Sequence, residues 1–341
     1  MAYYFNLPLQ NQLTMTQQAA LDETDTIALK GGPGTGKSVV CLWRHIINHE
    51  IGSTKSLLLT YTKTLECYLK QSAGSHNAEA GASVNRTYMW LSRHASSQYD
   101  EIIVDEAQDV NSGKYIQLQK YCNQISFGAD DDQGLYDNGC TYLELKSFFP
   151  DTEEYLLDQN FRNSKEILNF IRSVFPQIGI SQHIINSAPS TNRKPMVKAV
   201  GWDESALINY IVDLINDLTG STHNIGILVP GKNQIKKYFP LIKERLDSEG
   251  VDCDFTMFES DMGEIDHIGN VHLATFKSSK GLEFDTVIIP NFDSFNWYLQ
   301  NSRNTSEKDY YVALTRAKIN LYLPCKKESV VGDQSTYEIM E

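Results

Sequence analysis

The stretch Gly31-Gly32-Pro33-Gly34-Thr35-Gly36-Lys37-Ser38 fits the pattern G-x-x-x-x-G-K-[ST], in which backbone N–H groups cradle phosphate. The apolar run Thr26–Leu29 before it predicts a buried strand, and apolar residues recurring from Val39 to Ile47 predict an amphipathic helix after it. The glycines therefore lie at the strand-to-helix turn that this chemistry needs. The alternative is a glycine-rich turn with a chance lysine, but all four fixed positions occur in the required context.

Several residues of this loop have a predicted task. Lys37 can reach the β- and γ-phosphates of a nucleotide, and the Ser38 hydroxyl can ligate Mg²⁺. Gly34, Thr35 and Gly36 precede the helix and offer backbone N–H groups, to which the helix start adds a partial positive charge. We therefore predict a site for a nucleotide with Mg²⁺.

A second pattern places two adjacent carboxylates, Asp105 and Glu106, at the end of the apolar strand Glu101–Val104. In a P-loop ATPase the first such carboxylate holds Mg²⁺ through water, and the second activates or orients the attacking water. The alternative is a strand end with solvated acids. Because the Asp105-Glu106 pair follows a P-loop in the chain, the catalytic interpretation is favoured.

The apolar runs predict a parallel α/β sheet, because four strands in the first half alternate with helices or loops. Ligands of such sheets bind at the carboxyl ends of the strands, where the polar residues fall. Residues 71–86 are small and polar and predict a loop. Gln17 has an amide that can read an adenine edge, with a helix start capped by Thr14 or Thr16 as the alternative.

The second half of the chain repeats strand–helix alternation without a second P-loop. We predict an N-terminal domain at 1–158, a C-terminal domain at 159–330 and an acidic, poorly ordered tail at 331–341. Taken alone, Arg162 is a surface charge or a residue that stabilises the γ-phosphate.

The bulk composition limits the class of protein. The 341 residues are 41% hydrophobic without a run of 18 apolar residues, which indicates a globular protein and argues against a membrane span. Met1–Asn6 lacks the features of a secretory signal, and the six cysteines contain no C-x-x-C pair, so we expect a cytoplasmic protein. The net charge of −13 argues against a nucleic-acid coat protein but allows a narrow basic cleft.

Read together, the patterns resemble the superfamily 1 DNA helicases of the UvrD/Rep/PcrA type, because the blocks follow that family's order. The resemblance covers residues 13–323, nearly the whole chain. The matching blocks are Leu13–Gln17 (Q motif), Gly31–Ser38 (I), Thr60–Thr62 (Ia), Thr87-Tyr88, Asp105–Asp109 (II), Gly128–Tyr136 (III), Gln159–Ser164 (IV), Thr275–Phe284 (V) and Tyr311–Lys318 (VI).

The resemblance implies two tandem RecA-like P-loop NTPase domains with parallel central sheets and ATP in the cleft between them. For the nucleotide it implies Gln17 and Phe161 on adenine, Glu283 on the ribose, and Gly34, Thr35, Gly36, Lys37 and Ser38 on the phosphates. For catalysis it implies Asp105 and Ser38 on Mg²⁺, Glu106 as base, Gln133 as γ-phosphate sensor, and Arg162 and Arg316 on the γ-phosphate. For single-stranded DNA it implies Tyr61, Thr87, Tyr136 and Lys277, with aromatic stacking that has no sequence preference.

The chain departs from that family in two ways. The intervals 65–100 and 165–274 leave no room for the large insertions that bigger members carry in each domain. Asn138 stands where the family has a tryptophan that stacks on bases. Trp90 or Trp297 could replace that ring, with core or edge packing as the alternative interpretation.

Three functions follow as hypotheses. The first is an ATP-dependent motor on single-stranded DNA. The second is an ATPase subunit that gates a partner, such as a nuclease in DNA repair or antiphage defence. The third is a motor on RNA. The complete set of catalytic residues favours real ATP turnover, whereas Asn138 and the short intervals favour dependence on a partner.

Overall fold

The structure is a computed structural model that describes residues 3, 7–93, 97–136, 138–259, 262–263, 265, 267–303, 305–328 and 330–340. The chain divides into two compact units. The first unit is Phe5–Asn160, and the second is Phe161–Glu341 together with Met1–Tyr4. Residues 1–6, which were used to argue against a secretory signal, lie outside the described part except for Tyr3.

The first unit is built on short apolar strands that each lead into a helix or turn. Runs such as Ser56–Thr60 are buried along their whole length, as expected for parallel strands covered on both faces. The strands are β1 Ile27–Lys30, β2 Ser56–Thr60, β3 Val84–Arg86, β4 Tyr99–Val104, β5 Cys122–Ala129 and β6 Glu153–Leu156. The helices are α1 Met15–Asp22, α2 Lys37–Ile51, α3 Lys63–His76, α4 Ala78–Ala82, α5 Thr87–Arg93, α6 Ser112–Leu118 and α7 Tyr142–Phe148.

These six strands form one sheet in the order β3-β2-β4-β5-β1-β6, and every neighbouring pair is parallel. One core cluster packs Leu57, Ile102 and Phe127 of the sheet against Tyr115 and Leu118 of α6. Because all strands are parallel, all of their carboxyl ends meet at one edge of the sheet. That edge carries the loops after β1, β4 and β5, which are adjacent in the sheet.

The second unit repeats this plan with a larger sheet. Its helices are α8 Lys165–Val174, α9 Gln182–Ser187, α10 Glu204–Leu218, α11 Lys232–Glu249, α12 Phe295–Asn301 and α13 Glu307–Leu314. Its strands are β7 Met196–Ala199, β8 Ile225–Val229, β9 Phe255–Phe258, β10 Val271–Thr275, β11 Phe284–Ile288, β12 Ala317–Cys325 and β13 Glu338–Met340. They pair in parallel in the order β13-β7-β12-β11-β8-β10-β9. The predicted α/β class with parallel central sheets is confirmed.

Two local predictions are wrong. Residues 71–86 form the end of α3, α4 and β3 instead of a loop, because Asn77 Oδ1 caps α4 by accepting from Glu79 N at 2.9 Å. The described part of the predicted tail, residues 331–340, contains regular structure: Glu338–Met340 pairs with β7, and Tyr337 is buried with its ring edge-on to Phe170 at 6.0 Å. In both places small or polar composition hid regular structure held by local caps and packing.

Among the described residues, no helix combines the length and the apolar character that crossing a membrane would require.

Candidate functional site

The phosphate loop joins β1 to α2 and has the backbone geometry that its glycines allow. Gly34 and Gly36 have φ of +70° and +90°, in the left-handed region that favours glycine. Gly31 packs so closely on the chain after β6 that a Cβ there would lie 2.5 Å from the Leu157 carbonyl oxygen. These glycines therefore let the backbone form a tight turn at the carboxyl edge of the sheet.

The Lys37 side chain is buried and folds over this loop. Its Nζ donates to the Gly31 and Gly32 carbonyl oxygens at 2.7 and 2.9 Å and lies 3.7 Å from Asp130 Oδ2. Gly128 on the adjacent β5 has no side chain between them: a Cβ there would lie 3.4 Å from Lys37 Cβ and 3.7 Å from Asp105 Oδ1. The loop thus holds one fixed positive charge next to two carboxylates.

Asp105 is fully buried at the end of β4. Its Oδ1 accepts from Glu106 N at 3.0 Å, and its Oδ2 has no hydrogen-bond partner among the described residues. Burial and the Glu106 charge raise the pKa of Asp105 to about 7, although a hydrogen bond from Ser38 and the Lys37 charge act in the opposite direction. A buried carboxylate oxygen without a partner, near the Ser38 hydroxyl, offers the hard oxygen ligands that Mg²⁺ prefers, so the residues fit this ion.

Glu106 has an unusual backbone and a fixed side chain. Its φ of 55° places a non-glycine residue in the left-handed region, which stores strain. Gln108 Nε2 donates to Glu106 Oε2 at 2.5 Å, while Gln108 Oε1 accepts from Asp130 N at 3.1 Å. Because a backbone N–H can only donate, the Asp130 contact fixes the amide orientation and makes the Gln108 nitrogen face Glu106.

Asp130 connects the remaining members of this cluster. Gln133 Nε2 donates to Asp130 Oδ2 at 2.6 Å, the same oxygen that faces Lys37. The structure therefore brings together the predicted residues Lys37, Asp105, Glu106 and Gln133 in one unit. Asp130 and Gln108 were within the predicted blocks but had no predicted role. Their sequence signal is position alone: Asp130 directly follows β5, and Gln108 lies in the turn after β4.

Gln17 lies against the phosphate loop. Its Oε1 accepts from Thr14 N at 2.9 Å, and its Nε2 donates to the Thr35 carbonyl oxygen at 3.0 Å. Thr14 Oγ1 accepts from Gln17 N at 3.2 Å, so Thr14 is the N-cap of α1. The alternative interpretation, a helix start capped by Thr14, is therefore present, and the contact of Gln17 with adenine stays a prediction.

Three tyrosines cluster at the same edge: Tyr61 follows β2, Tyr88 follows β3 and Tyr136 follows β5. The Tyr61 ring lies 4.3 Å from the Tyr136 ring and 5.6 Å from the Tyr88 ring, centroid to centroid. Lys114 Nζ lies 5.3 Å from the Tyr88 centroid. Thr87 was predicted to contact DNA but is buried, and its Oγ1 donates to the Thr60 carbonyl oxygen at 3.3 Å. Tyr88, with no predicted role of its own, provides the exposed ring instead.

The two tryptophans considered as substitutes for Asn138 differ. Trp90 is buried, with its ring edge-on to Tyr121 at 5.4 Å, so it belongs to the core. Trp297 is 58% exposed but belongs to the second unit. Trp90 is therefore not an exposed stacking ring, and Trp297 as a replacement for the missing ring stays a prediction.

In the second unit, Arg162 and Glu283 meet at the amino ends of the strands, with Glu283 directly before β11. Arg162 Nε lies 3.0 Å from Glu283 Oε2, and Lys318 Nζ lies 3.7 Å from Glu283 Oε1. Burial raises the pKa of Glu283, but the Arg162 and Lys318 charges outweigh it and hold the pKa below its ordinary value. Glu283 is therefore ionised and already bound to an arginine.

Arg316 precedes β12 and is also at the amino edge, but it is buried. Its guanidinium donates to the Val312 and Leu282 carbonyl oxygens at 2.9 and 3.2 Å and to Thr315 Oγ1 at 3.1 Å. Phe161 is 53% exposed. Lys277 lies at the opposite, carboxyl edge, 3.9 Å from Asp309 Oδ1. The second unit thus separates the residues predicted for nucleotide from the one predicted for DNA.

Comparison with known proteins gives matches to helicases. The family model of the UvrD-like helicase C-terminal domain matches residues 253–328. A protein of Acanthamoeba polyphaga mimivirus described as an ATP-dependent DNA helicase is 24% identical over 240 residues, covering 65% of this chain and 34% of that protein. The ATP-dependent DNA helicase UvrD1 of Mycobacterium tuberculosis is 26% identical over 106 residues, covering 27% of this chain and 14% of that protein.

Among solved structures, the PRRSV helicase is similar at 13% identity and a TM-score of 0.46, covering 91% of this chain and 54% of that one. The chain spans about a third or less of the length of the curated relatives it matches. The family and relative matches confirm the resemblance to UvrD-like superfamily 1 helicases that the ordered motifs predict.

Proposed function

We propose that this chain, which resembles the UvrD-like superfamily 1 helicases, is an ATPase that couples hydrolysis to movement along single-stranded DNA. The observation that supports it best is the cluster of Lys37, Asp105, Glu106 and Gln133 at the phosphate loop, with a buried Asp105 oxygen that has no partner among the described residues. Such a cluster suits phosphoryl transfer to water, which needs positioning and charge stabilisation more than covalent chemistry.

Each residue of the cluster has a proposed task. Lys37 exchanges its loop carbonyl oxygens for the β- and γ-phosphates, and Ser38 and Asp105 hold Mg²⁺. The metal would neutralise charge on the phosphates. Glu106 orients a water and accepts its proton, and Gln133 contacts the γ-phosphate. Arg162 and Arg316 would add positive charge to the γ-phosphate in the transition state, and Gln17, Phe161 and Glu283 would hold the nucleoside.

The tyrosine cluster suits a single strand of nucleic acid. Stacking on rings is tolerant of sequence, because every base has a π face. Burial raises the pKa of Tyr61 to about 12, so its ring stays neutral at physiological pH. We propose that Tyr61, Tyr88 and Tyr136 contact bases and that Lys277 contacts the backbone. The proposed compartment is the cytoplasm, consistent with six cysteines that lack a C-x-x-C pair.

The test is the rate of ATP hydrolysis without nucleic acid, with single-stranded DNA and with RNA. We expect stimulation by DNA. Lys37→Ala should abolish turnover because the phosphates lose their point charge, and Glu106→Gln should keep ATP and Mg²⁺ binding but stop hydrolysis. Normal turnover by Lys37→Ala would disprove the assigned phosphate site. Stimulation by RNA alone would move the proposal to an RNA motor.

A second function, a partner-gating ATPase, is favoured by one observation: Asn138 offers no ring at the position where a base-stacking tryptophan is expected. The Asn138 carbonyl oxygen instead accepts from Asn111 Nδ2 at 3.1 Å. ATP turnover that ignores both DNA and RNA but responds to a protein such as a nuclease would support this function over the motor.

A further inference from the structure

Tyr3, a residue with no role assigned above, contacts the backbone of Glu283 from a distant part of the chain. The two residues are 280 positions apart and belong to the same unit. The Tyr3 hydroxyl donates to the Glu283 carbonyl oxygen and accepts from Glu283 N at 3.2 Å. A hydroxyl can do both at once, because it has one proton and two lone pairs. One side chain therefore binds both polar backbone groups of the residue proposed to hold the ribose.

Tyr3 is itself held in place. Only 3% of its surface is exposed, and its ring lies edge-on to the Phe284 ring with 5.9 Å between the centroids. Its backbone N–H donates to the Ile268 carbonyl oxygen at 2.9 Å. Because the ring and the backbone are both anchored, the hydroxyl has a fixed position and fixes the position of Glu283 in turn. A ring that only filled the core would need no such pair of hydrogen bonds.

The place of Glu283 in the chain explains why it needs this support. It directly precedes β11, whose first paired residue is Phe284. Two residues earlier, Gly281 has a φ of +84°, which lets the chain turn sharply. Phe284 N donates to the Arg316 carbonyl oxygen at 2.9 Å, so the strand is fixed from that residue onward. Glu283 thus lies between a sharp turn and the start of a strand, and the Tyr3 hydroxyl fixes its peptide groups there.

Two cations hold the Glu283 carboxylate at the same time. Oε2 lies 3.0 Å from Arg162 Nε, and Oε1 lies 3.7 Å from Lys318 Nζ. Lys318 Nζ also lies 3.5 Å from Asp285 Oδ1, so its charge is shared between two carboxylates. Each carboxylate oxygen has two lone pairs, so Glu283 can accept from a sugar hydroxyl without losing these partners. The position of that acceptor depends on the backbone that carries the side chain, and therefore on Tyr3.

We propose that Tyr3 is a positioning residue for nucleotide recognition, because it fixes the Glu283 backbone and so sets the carboxylate where it accepts from a ribose hydroxyl. Tyr3 thereby contributes to the preference for a ribonucleotide over a nucleotide that lacks this hydroxyl, and it does so without touching the nucleotide. The inference rests on the proposed function, in which Glu283 holds the ribose. It extends that function from ATP hydrolysis to discrimination of the sugar.

The experiment measures the dissociation constants of the full chain for ADP, 2′-deoxy-ADP and 3′-deoxy-ADP by calorimetry. Loss of the hydroxyl that Glu283 accepts from should weaken wild-type binding by about 10- to 150-fold, since the hydrogen bond involves a charged group. Tyr3→Phe keeps the ring but removes both hydrogen bonds, and it should lower this ratio by about 3- to 10-fold. Without nucleotide, the same variant should exchange amide hydrogens faster in residues 281–285, because Glu283 N loses its acceptor.

Tyr238→Phe is the matched control, because Tyr238 is another buried tyrosine of this unit, and its hydroxyl accepts from Asn291 Nδ2 at 2.8 Å. This variant should change neither the ratio nor the exchange. Equal weakening of all three nucleotides in Tyr3→Phe, unchanged exchange in that variant, or equal binding of all three by the wild type would overturn the positioning role and leave ATP hydrolysis, and so the proposed function, intact. Failure of the wild type to bind any of the three nucleotides would overturn both.

Discussion

Gln108 links the two strand ends that carry the proposed chemistry, because its oxygen accepts from Asp130 N and its nitrogen donates to Glu106. Without the hydrogen bond from this amide, the Glu106 carboxylate would no longer be held in one orientation. We expect Gln108→Ala to lower kcat by about 10- to 100-fold, since a hydrogen bond to a charged group contributes ~1.5–3 kcal/mol, with little change in KM for ATP. Gln117→Ala, at an exposed position of α6, is the control, and an unchanged kcat in Gln108→Ala would exclude a positioning role.

The two arginines predicted to reach the γ-phosphate differ in their surroundings. Arg162 pairs with Glu283, whereas Arg316 is buried and donates to two carbonyl oxygens of its own unit. Arg162→Ala and Arg316→Ala should each lower kcat by about 10²–10³-fold with smaller effects on ATP affinity, because their proposed contacts form mainly in the transition state.

Arg316→Ala should in addition lower the melting temperature more than Arg162→Ala, because it removes a buried donor to the Leu282 carbonyl oxygen and one of two donors to the Val312 carbonyl oxygen, which also accepts from Thr315 Oγ1. Arg172→Ala on α8 tests the effect of removing an arginine elsewhere in the unit. A large change in nucleotide Kd with normal kcat would contradict the transition-state role of either residue.

At the scale of elements, helices α3 and α4 approach each other at two glycines, and the contact is asymmetric. A Cβ on Gly81 would lie 2.7 Å from Gly74 Cα, whereas a Cβ on Gly74 would lie 3.9 Å from Gly81 Cα. Gly81→Ala should therefore destabilise the fold by about 1–3 kcal/mol through overpacking. Gly74→Ala should be neutral or stabilising by up to about 1 kcal/mol, because alanine favours a helix. Equal chemical denaturation midpoints for the two variants would disprove this packing.

The elements of this fold differ in how clearly the sequence predicts them. Apolar runs such as Ile225–Val229 and the amphipathic span Lys165–Val174 identify a strand and a helix directly, because burial on both faces or on one face leaves a clear period. Residues 71–86 lack that signal, since small residues let the two helices pack without large apolar side chains. Strands β6, β7, β9 and β13 are short and partly exposed, so their pairing depends on distant neighbours.

The candidate site divides in the same way. The chemistry proposed for Gly31–Ser38 and Asp105-Glu106 requires particular residue types at a fixed spacing, so the sequence pattern alone locates these residues. The tasks of Gln108 and Asp130 arise only when β4 and β5 lie side by side in the sheet. The cavity lined by Trp202, Asn291 and Lys326 in the second unit is harder still, because its loops are separated by over a hundred residues in sequence and meet only through the sheet order.

At the scale of the whole chain, both intervals that hold large insertions in bigger relatives are used by the sheets themselves. In the interval 65–100 the described residues form most of α3, then α4, β3, α5 and the start of β4, and in the interval 165–274 they form α8, α9, β7, α10, β8, α11, β9 and most of β10. The part of the chain described in these intervals therefore provides pieces of each unit's own sheet and its covering helices, not an added domain.

Because both intervals are used by the units' own sheets and helices, we predict that the isolated chain hydrolyses ATP faster with single-stranded DNA but separates duplexes poorly. Opening a base-pair step costs about 1.4 kcal/mol on average, and the motor must hold the fork while that energy is supplied. A net charge of −13 leaves little positive surface to grip a duplex, so modest salt should already weaken binding. Both activities should be measured on one preparation with a tailed duplex at low salt, with Glu106→Gln as the inactive control. Processive unwinding by the chain alone would show that two units without added domains suffice, and ATP turnover without any DNA response would favour the partner-gating function.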